Sequence, residues 1–167
     1  MSQQTWAFRI GMGFDVHAFG GDGPLVLGGE TIPQSDGLEG HSDADVVAHA
    51  VADALLGAIG LPDIGTLFPA SDDSYRDASS IDLLQRVMEH VTAEGYCVVN
   101  VDVVIAAERP NLAEHLDAMT LNLSNSISAP VNVKPKRGEG VGAIGRGEGI
   151  AAWAVALLGP AQRRSDD

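Results

Sequence analysis

Two short pieces, Asp15-Val16-His17 and the run from His41 to His49 (His-Ser-Asp-Ala-Asp-Val-Val-Ala-His), carry the side chains best suited to chemistry. They hold three of the five histidines in the chain. In an extended segment, residues two apart point to one side, so Asp15 and His17 would share a face. Ser42 and Asp45 read as a capping pair that opens a helix, with Asp45 at the third helical position and His49 one turn further on the same face. An extended Asp/His pair facing one more His from a helix is a three-donor N/O set. That is the open kind of zinc site, which leaves a position for water or substrate. On spacing alone the same residues also fit the plainer role of helix caps and solvated side chains.

The charge distribution adds a second candidate. The formal net charge is −13, which argues against nucleic acid or an anionic membrane as partner. Yet both lysines of the chain, Lys134 and Lys136, fall in one stretch with Arg137 and Arg146. This cluster reads either as a local anion site or as a solvated loop. The single cysteine, Cys97, excludes an internal disulfide and sits in an apolar run, where a buried small hydrophobe is expected. Met1 to Ala7 lack the apolar core of a signal peptide and no apolar run is long enough to span a bilayer, so the expected location is the cytoplasm.

The elements that must position these groups follow from periodicity. Phe8 to Phe19 reads as a strand, Gly20 to Gly23 as a loop, and Leu25–Leu27 with Glu30–Ile32 as a hairpin about Gly28-Gly29. Pro33 to Gly40 is expected to be loop. A helix from Ser42 to Ile59 would carry Val47, Val51, Ala54, Leu55 and Ala58 on its apolar stripe, with Gly60 as its stop. Asp53, one turn beyond His49, suits either a partner for that imidazole or a surface carboxylate. Leu61 to Asp77 is a polar loop. Ser79 would cap a second helix with Ile81, Leu84, Val87, Met88 and Val91 inside, stopped at Gly95. Tyr96 to Ala106 alternates as a strand with Cys97, Val99, Val101, Val103 and Ile105 on one face. Asn111 and Glu114 would open a third helix that buries Leu112, Leu116, Met119, Leu123 and Ile127, followed by a short strand over Val131–Lys134. Ile150 to Leu158 is apolar throughout and fits strand or helix. The expected architecture is one α/β (α+β) domain spanning the 167 residues, a mixed sheet with about three helices on one or both faces, with a core over 8–158 and a frayed tail over 159–167.

Gly140-Val-Gly-Ala-Ile-Gly145 matches the dinucleotide-binding fingerprint literally, but that fingerprint must open a strand–helix–strand unit with an acidic residue about 20 positions on. Too little sequence follows Gly145 for a helix, a strand and that carboxylate. Close approach of backbone to a ligand or to another chain is the better reading of these glycines.

Taken in order, Asp15-Val-His17, His41 to His49, Asp63-Ile-Gly65, Phe68-Pro69, Asn100-Val-Asp-Val, Arg109-Pro110, Val131-Asn-Val-Lys134 and Gly145-Arg-Gly-Glu-Gly149 resemble the 2-C-methyl-D-erythritol 2,4-cyclodiphosphate synthase family of the non-mevalonate isoprenoid pathway. The resemblance implies a metal-dependent lyase that cyclises 4-diphosphocytidyl-2-C-methyl-D-erythritol 2-phosphate and releases CMP. It implies zinc, or another divalent cation, at Asp15, His17 and His49, and magnesium or manganese with the substrate diphosphate at Glu139. By the same resemblance His41, Arg137 and Glu139 are catalytic. Substrate contacts would come from Asp15, His17, His41, Ser42, Asp63, Ile64, Gly65, Phe68, Asp72, Ala107, Arg109, Pro110, Lys136, Arg137, Glu139 and Arg146. The cytidine and phosphates would lie between Ala107–Ala113 and Lys136–Glu139. The implied assembly is a homotrimer with sites between subunits and Arg146 toward a central cavity, where an isoprenoid phosphate would fit.

The chain departs from that family's pattern at three places. Pro135-Lys136-Arg137-Gly138 replaces a threonine-rich run, with Arg137 standing for the threonine assigned to the transferring phosphate. Ala70 stands where aspartate is common, and Ala143 where an aromatic residue often lies. The altered pocket admits a zinc-dependent phosphotransfer enzyme acting on another nucleotide diphosphate. A non-catalytic zinc-binding trimer is the third reading, disfavoured because structural zinc needs none of His41, Asp63 and Glu139.

Overall fold

The structure, a computed structural model, describes residues 8–40, 42–69, 71–72 and 78–161. His41, Ala70 and the segment 162–167, all singled out above, lie outside the described residues.

Five strands form one sheet: β1 (Arg9–Leu27), β2 (Glu30–Leu38), β3 (Tyr96–Ala106), β4 (Val131–Lys136) and β5 (Gly149–Pro160). Their order is β2-β1-β5-β3-β4, with β3 and β4 parallel and every other neighbour antiparallel. The expected mixed sheet is therefore present, and the undecided segment Ile150–Leu158 is its central strand. The helices are α1 (Val46–Ile59), α2 (Ile64–Leu67), α3 (Ser80–Ala93), α4 (Leu116–Ile127) and α5 (Gly142–Gly145), with a 3₁₀ turn at Ala113–His115 before α4. Among the described residues, no helix is long and apolar enough to cross a membrane.

Several boundaries differ from the sequence expectation. The hairpin turn at Gly28-Gly29 is as expected, both glycines having positive φ (56° and 71°), as a two-residue turn of this hand requires. But Gly20–Gly23 and Pro33–Leu38 are strand rather than loop, with the β1–β2 register shifted between Phe19 and Leu25. The glycines there let bulges absorb the extra residues without ending the ladder. The polar loop after α1 contains α2, capped by Asp63, whose Oδ1 accepts from the Thr66 N–H at 2.7 Å. The glycine stretch contains the single turn α5. The expected frayed tail begins too early, since Gly159 and Pro160 still pair with Cys97 and Tyr96.

Cys97 is exposed, not buried. A register shift between Val98 and Asn100 inserts one residue into β3 and reverses its alternation there. Val101, Val103 and Ile105 keep the inner face, while Cys97 and Val99 turn outward.

α1 is buried nearly all round: of its fourteen residues only His49, Asp53 and Gly57 escape full burial, and they lie four apart on one line. The helix lies directly on β1 because Gly11 and Gly13 have no side chains. A Cβ at Gly13 would stand 1.9 Å from the Ala50 carbonyl oxygen, and one at Gly11 would stand 1.9 Å from that of Ala54. The opposite face of β1 presents Ile10, Met12, Phe14 and Val16, all exposed, as is Phe8 just before the strand. Trp153 and Val155 of β5 continue that apolar surface, with Phe14 and Trp153 rings 5.1 Å apart.

Gly13→Ala should therefore destabilise the fold by more than the roughly 1–3 kcal/mol of ordinary overpacking, because the obstacle is backbone that cannot rotate away. Urea unfolding measures it; an unchanged midpoint would contradict the close packing.

Candidate active site

Below Gly11 and Gly13 the same face of β1 carries Asp15 and His17, and α1 brings His49 against them. Asp15 Oδ2 lies 2.9 Å from His49 Nδ1 and 3.0 Å from His17 Nε2. The imidazole centroids are 5.6 Å apart. The ligand atoms of these three residues all lie within 4.8 Å of one another, and they are the one such group among the described residues.

Each remaining polar atom of the set is engaged. Asp15 Oδ1 accepts from the Val16 N–H at 2.9 Å. His17 Nδ1 lies 2.6 Å from the Glu39 carbonyl oxygen. A carbonyl only accepts, so Nδ1 carries a proton, and when His17 is neutral its Nε2 is left with the lone pair that a metal would take. His49 Nε2 lies 2.9 Å from Ser80 Oγ and 3.3 Å from Ser42 Oγ. An Asp/His/His set with both outward ring nitrogens hydrogen-bonded is the donor chemistry a divalent metal takes. The residues fit the ion.

The electrostatics agree. Burial alone would raise the Asp15 carboxyl, but hydrogen bonds and charge from His17 and His49 hold it well below the usual carboxylate range. The Asp15 hydrogen bond raises His17 above its ordinary value, against the opposing effect of burial.

The start of α1 differs from the sequence expectation. Asp45 is the N-cap, not the third helical residue. Its carboxylate is fully buried and accepts from the N–H groups of Val47 and Ala48 at 3.0 Å, of Gly28 at 2.8 Å and of Gly29 at 2.7 Å. Burial pushes its carboxyl up, and these donors oppose that push. Asp53 does not partner His49 among its described bonds: its Oδ1 accepts from the Ile64 N–H at 2.8 Å, fastening α2 and thereby Asp63, Ile64 and Gly65 to α1. Phe68 ends α2 half-buried against the core, and Asp72 is exposed just beyond.

A second group gathers where the parallel strands β3 and β4 end. Ala107, Pro110, Asn111, Leu112, Pro135, Lys136 and Arg137 line a cavity of about 140 Å³. The Ala107 N–H donates to the Lys136 carbonyl at 2.9 Å, tying two of the lining residues through the main chain. Arg109 packs 4.2 Å over the Phe19 ring and bonds Asp36 at 3.0 Å, tying this crevice to the β1–β2 pair. Glu139 adopts positive φ (51°), and its N–H donates to Glu108 Oε2 at 3.1 Å. Glu108 was not singled out by sequence, though it adjoins Arg109. Arg146 pairs with Glu148 at 2.6 Å and is largely exposed. The glycine stretch then returns to the metal site: Gly149 pairs with Ala18, and a Cβ there would stand 2.3 Å from the His17 carbonyl oxygen. No Cβ fits at that crossing.

The sequence matches the YgbB family over residues 8–159. The chain belongs to the YgbB family. Among its relatives, the 2-C-methyl-D-erythritol 2,4-cyclodiphosphate synthase of Marinobacter nauticus is 52% identical over 153 residues, covering 90% of this chain and 96% of that protein. The synthase of Bordetella petrii is 51% identical over 154 residues, covering 90% and 95%. Solved structures within the family agree in fold. A 2C-methyl-D-erythritol-2,4-cyclodiphosphate synthase in its CDP-bound form superposes with a TM-score of 0.82 at 38% identity, over 90% of this chain and 99% of that one. The bifunctional IspDF from Campylobacter jejuni gives a TM-score of 0.87 at 39% identity, over 92% of this chain and 42% of that larger one.

Zinc at a hundred times its dissociation constant should stabilise the wild-type protein by about 2.7 kcal/mol, read as a thermal shift, and should not stabilise His49→Ala. A ligating His17 must be neutral and its pKa is raised, so protons compete with the metal to higher pH than for an ordinary histidine. Zinc affinity should accordingly begin to fall above pH 6.5 as the solution is acidified, which chelator competition across pH would measure.

Proposed function

We propose that the protein is a 2-C-methyl-D-erythritol 2,4-cyclodiphosphate synthase, a metal-dependent phosphorus–oxygen lyase of non-mevalonate isoprenoid biosynthesis acting in the cytoplasm. The observation that carries this reading is the Asp15/His17/His49 donor set, assembled in a chain about half identical to proteins of that name.

In the reaction, an oxygen of the substrate's 2-phosphate attacks the β-phosphorus of its own diphosphate. The bond from that phosphorus to the bridging oxygen breaks, and CMP leaves with that oxygen. A phosphate dianion needs no general base, so the work is bending the substrate and neutralising charge. Zinc at Asp15, His17 and His49, with magnesium or manganese at Glu139, would supply charge neutralisation and a template.

The chain's own residues would do the rest. Asp63, Ile64 and Gly65, held by Asp53, present a fixed turn for the methylerythritol hydroxyls. The crevice between Ala107–Ala113 and Pro135–Arg137 would take the cytidine; that a relative binds CDP supports a cytidine nucleotide as ligand. Lys136 and Arg137 flank it as cations for the phosphates. Arg137 replaces a hydroxyl with a longer planar fork able to bind two oxygens at once. His41 and Ser42 would orient the attacking phosphate, and Phe68, Asp72, Arg109 and Pro110 would border the substrate.

The exposed apolar face of β1 and β5 supports a homotrimer. Four alternate β1 side chains facing water, with Phe8 just before them, are a surface built to be covered. Sites would then lie between subunits, with Arg146 toward a central cavity able to take an isoprenoid phosphate. Phe14→Glu should shift sedimentation from trimer toward monomer and lower turnover at low protein concentration; a stable trimer would remove this face from the interface.

Phosphorus NMR of the zinc- and magnesium-loaded protein with 4-diphosphocytidyl-2-C-methyl-D-erythritol 2-phosphate tests the reaction. Cyclic diphosphate and CMP should appear together, and Glu139→Gln should abolish both while leaving zinc content unchanged. Intact substrate would redirect the search to other nucleotide diphosphates, with the Lys136-Arg137 loop as the reason.

A further inference from the structure

Behind His49 the structure shows a polar arrangement that the reaction above does not use. Ser80, the first residue of α3, is fully buried, with its Oγ 2.9 Å from His49 Nε2. The same hydroxyl bonds Asp43 Oδ1, and the Ser80 N–H donates to Asp43 Oδ2 at 3.0 Å. Both oxygens of Asp43 thus bond Ser80, and Oδ1 also accepts from the Asp45 N–H at 3.3 Å. Ser79, the nominal cap of α3, makes no side-chain cap bond. Asp43, 37 residues before Ser80, takes that role from outside the helix by accepting the Ser80 N–H.

The direction of these bonds follows from what each group can do. A carboxylate only accepts, so the Ser80 hydroxyl must give its proton to Asp43. Its Oγ then has only lone pairs to offer His49, so Nε2 must carry hydrogen. A neutral imidazole protonated at Nε2 has its lone pair on Nδ1, the atom that lies with Asp15 and His17. Ser42 Oγ is a weaker alternative at 3.3 Å and also accepts from the Ala44 N–H. His17 reaches the matching state through the main-chain carbonyl of Glu39, which no side-chain substitution removes.

We propose that Asp43 and Ser80 are positioning residues that fix the tautomer and orientation of His49, so that Nδ1 is held ready for the metal. The role rests on assigning a metal to the Asp15/His17/His49 set. It also explains why α3 begins where it does: its first residue is anchored to the back of the site.

The test compares Ser80→Ala, Asp43→Asn and the control Ser79→Ala. Asparagine keeps the shape of Asp43 but can accept only one of the two Ser80 protons, so one pair becomes donor against donor. Both Ser80→Ala and Asp43→Asn should weaken zinc binding by about 10- to 100-fold in chelator competition, while Ser79→Ala stays within twofold. Urea unfolding of the metal-free proteins separates this from stability, since the loss of affinity should not track the shift in midpoint. In the zinc-loaded wild type, NMR should find the His49 Nε2–H protected from exchange, and Ser80→Ala should abolish that protection. Wild-type affinity in both variants, or a loss matched by Ser79→Ala, would overturn the positioning role and leave the metal assignment standing. A wild-type protein that takes up no zinc would overturn the metal assignment and this role with it.

Discussion

The contact between two backbones, α1 on β1, governs the rest of this molecule. Gly11 and Gly13 remove every side chain from the crossing, so the helix sits against the strand itself. Residues 11, 13, 15 and 17 share one face of β1, and the two glycines that admit the helix are continuous with the two ligands it must meet. Closer helix–sheet packing is what brings His49 Nδ1 to Asp15. The shortness of the alanine side chains in the middle of β5 serves the same layer: Ala152, Ala154 and Ala156 are wholly buried beside α1.

A second constraint sets where the helix begins. The Asp45 carboxylate gathers N–H groups from the β1–β2 turn and from the first turn of α1. Unmet, each buried donor would cost about 1–3 kcal/mol. One side chain therefore locks the hairpin to the helix, and the axial position of His49 follows from it. The macrodipole of α1 also favours an anion at this end.

The ligand set was legible because a two-residue spacing on a strand and a nearby helix histidine are local signals. The start of α1 was not, because Ser42 and Asp45 match a capping box while the donors that recruit Asp45 come from Gly28 and Gly29. Cys97 was misplaced by one inserted residue in β3, which no alternation pattern announces. The exposed side of β1 reverses ordinary expectation: Ile10, Met12 and Phe14 point outward and glycines inward, and only the helix against the strand explains it. Asp43 and Ser80 stood in view as residues, yet their meeting depends on the docking of α3. The resemblance supplied roles for the crevice residues that neither charge nor spacing could assign.

The place of β5 at the centre of the sheet has a consequence in time. The first half of β1, Arg9 to Ala18, pairs with β5, as in Arg9 with Leu158 and His17 with Ile150, and β3 joins the sheet only through β5 and β4. Strands formed early in the chain thus wait, edges open, for one that comes last. Closing such distant partners is entropically costly and slow. Glycine-rich β1, with its outward apolar row, is then the segment most in need of a chaperone's cover before β5 arrives.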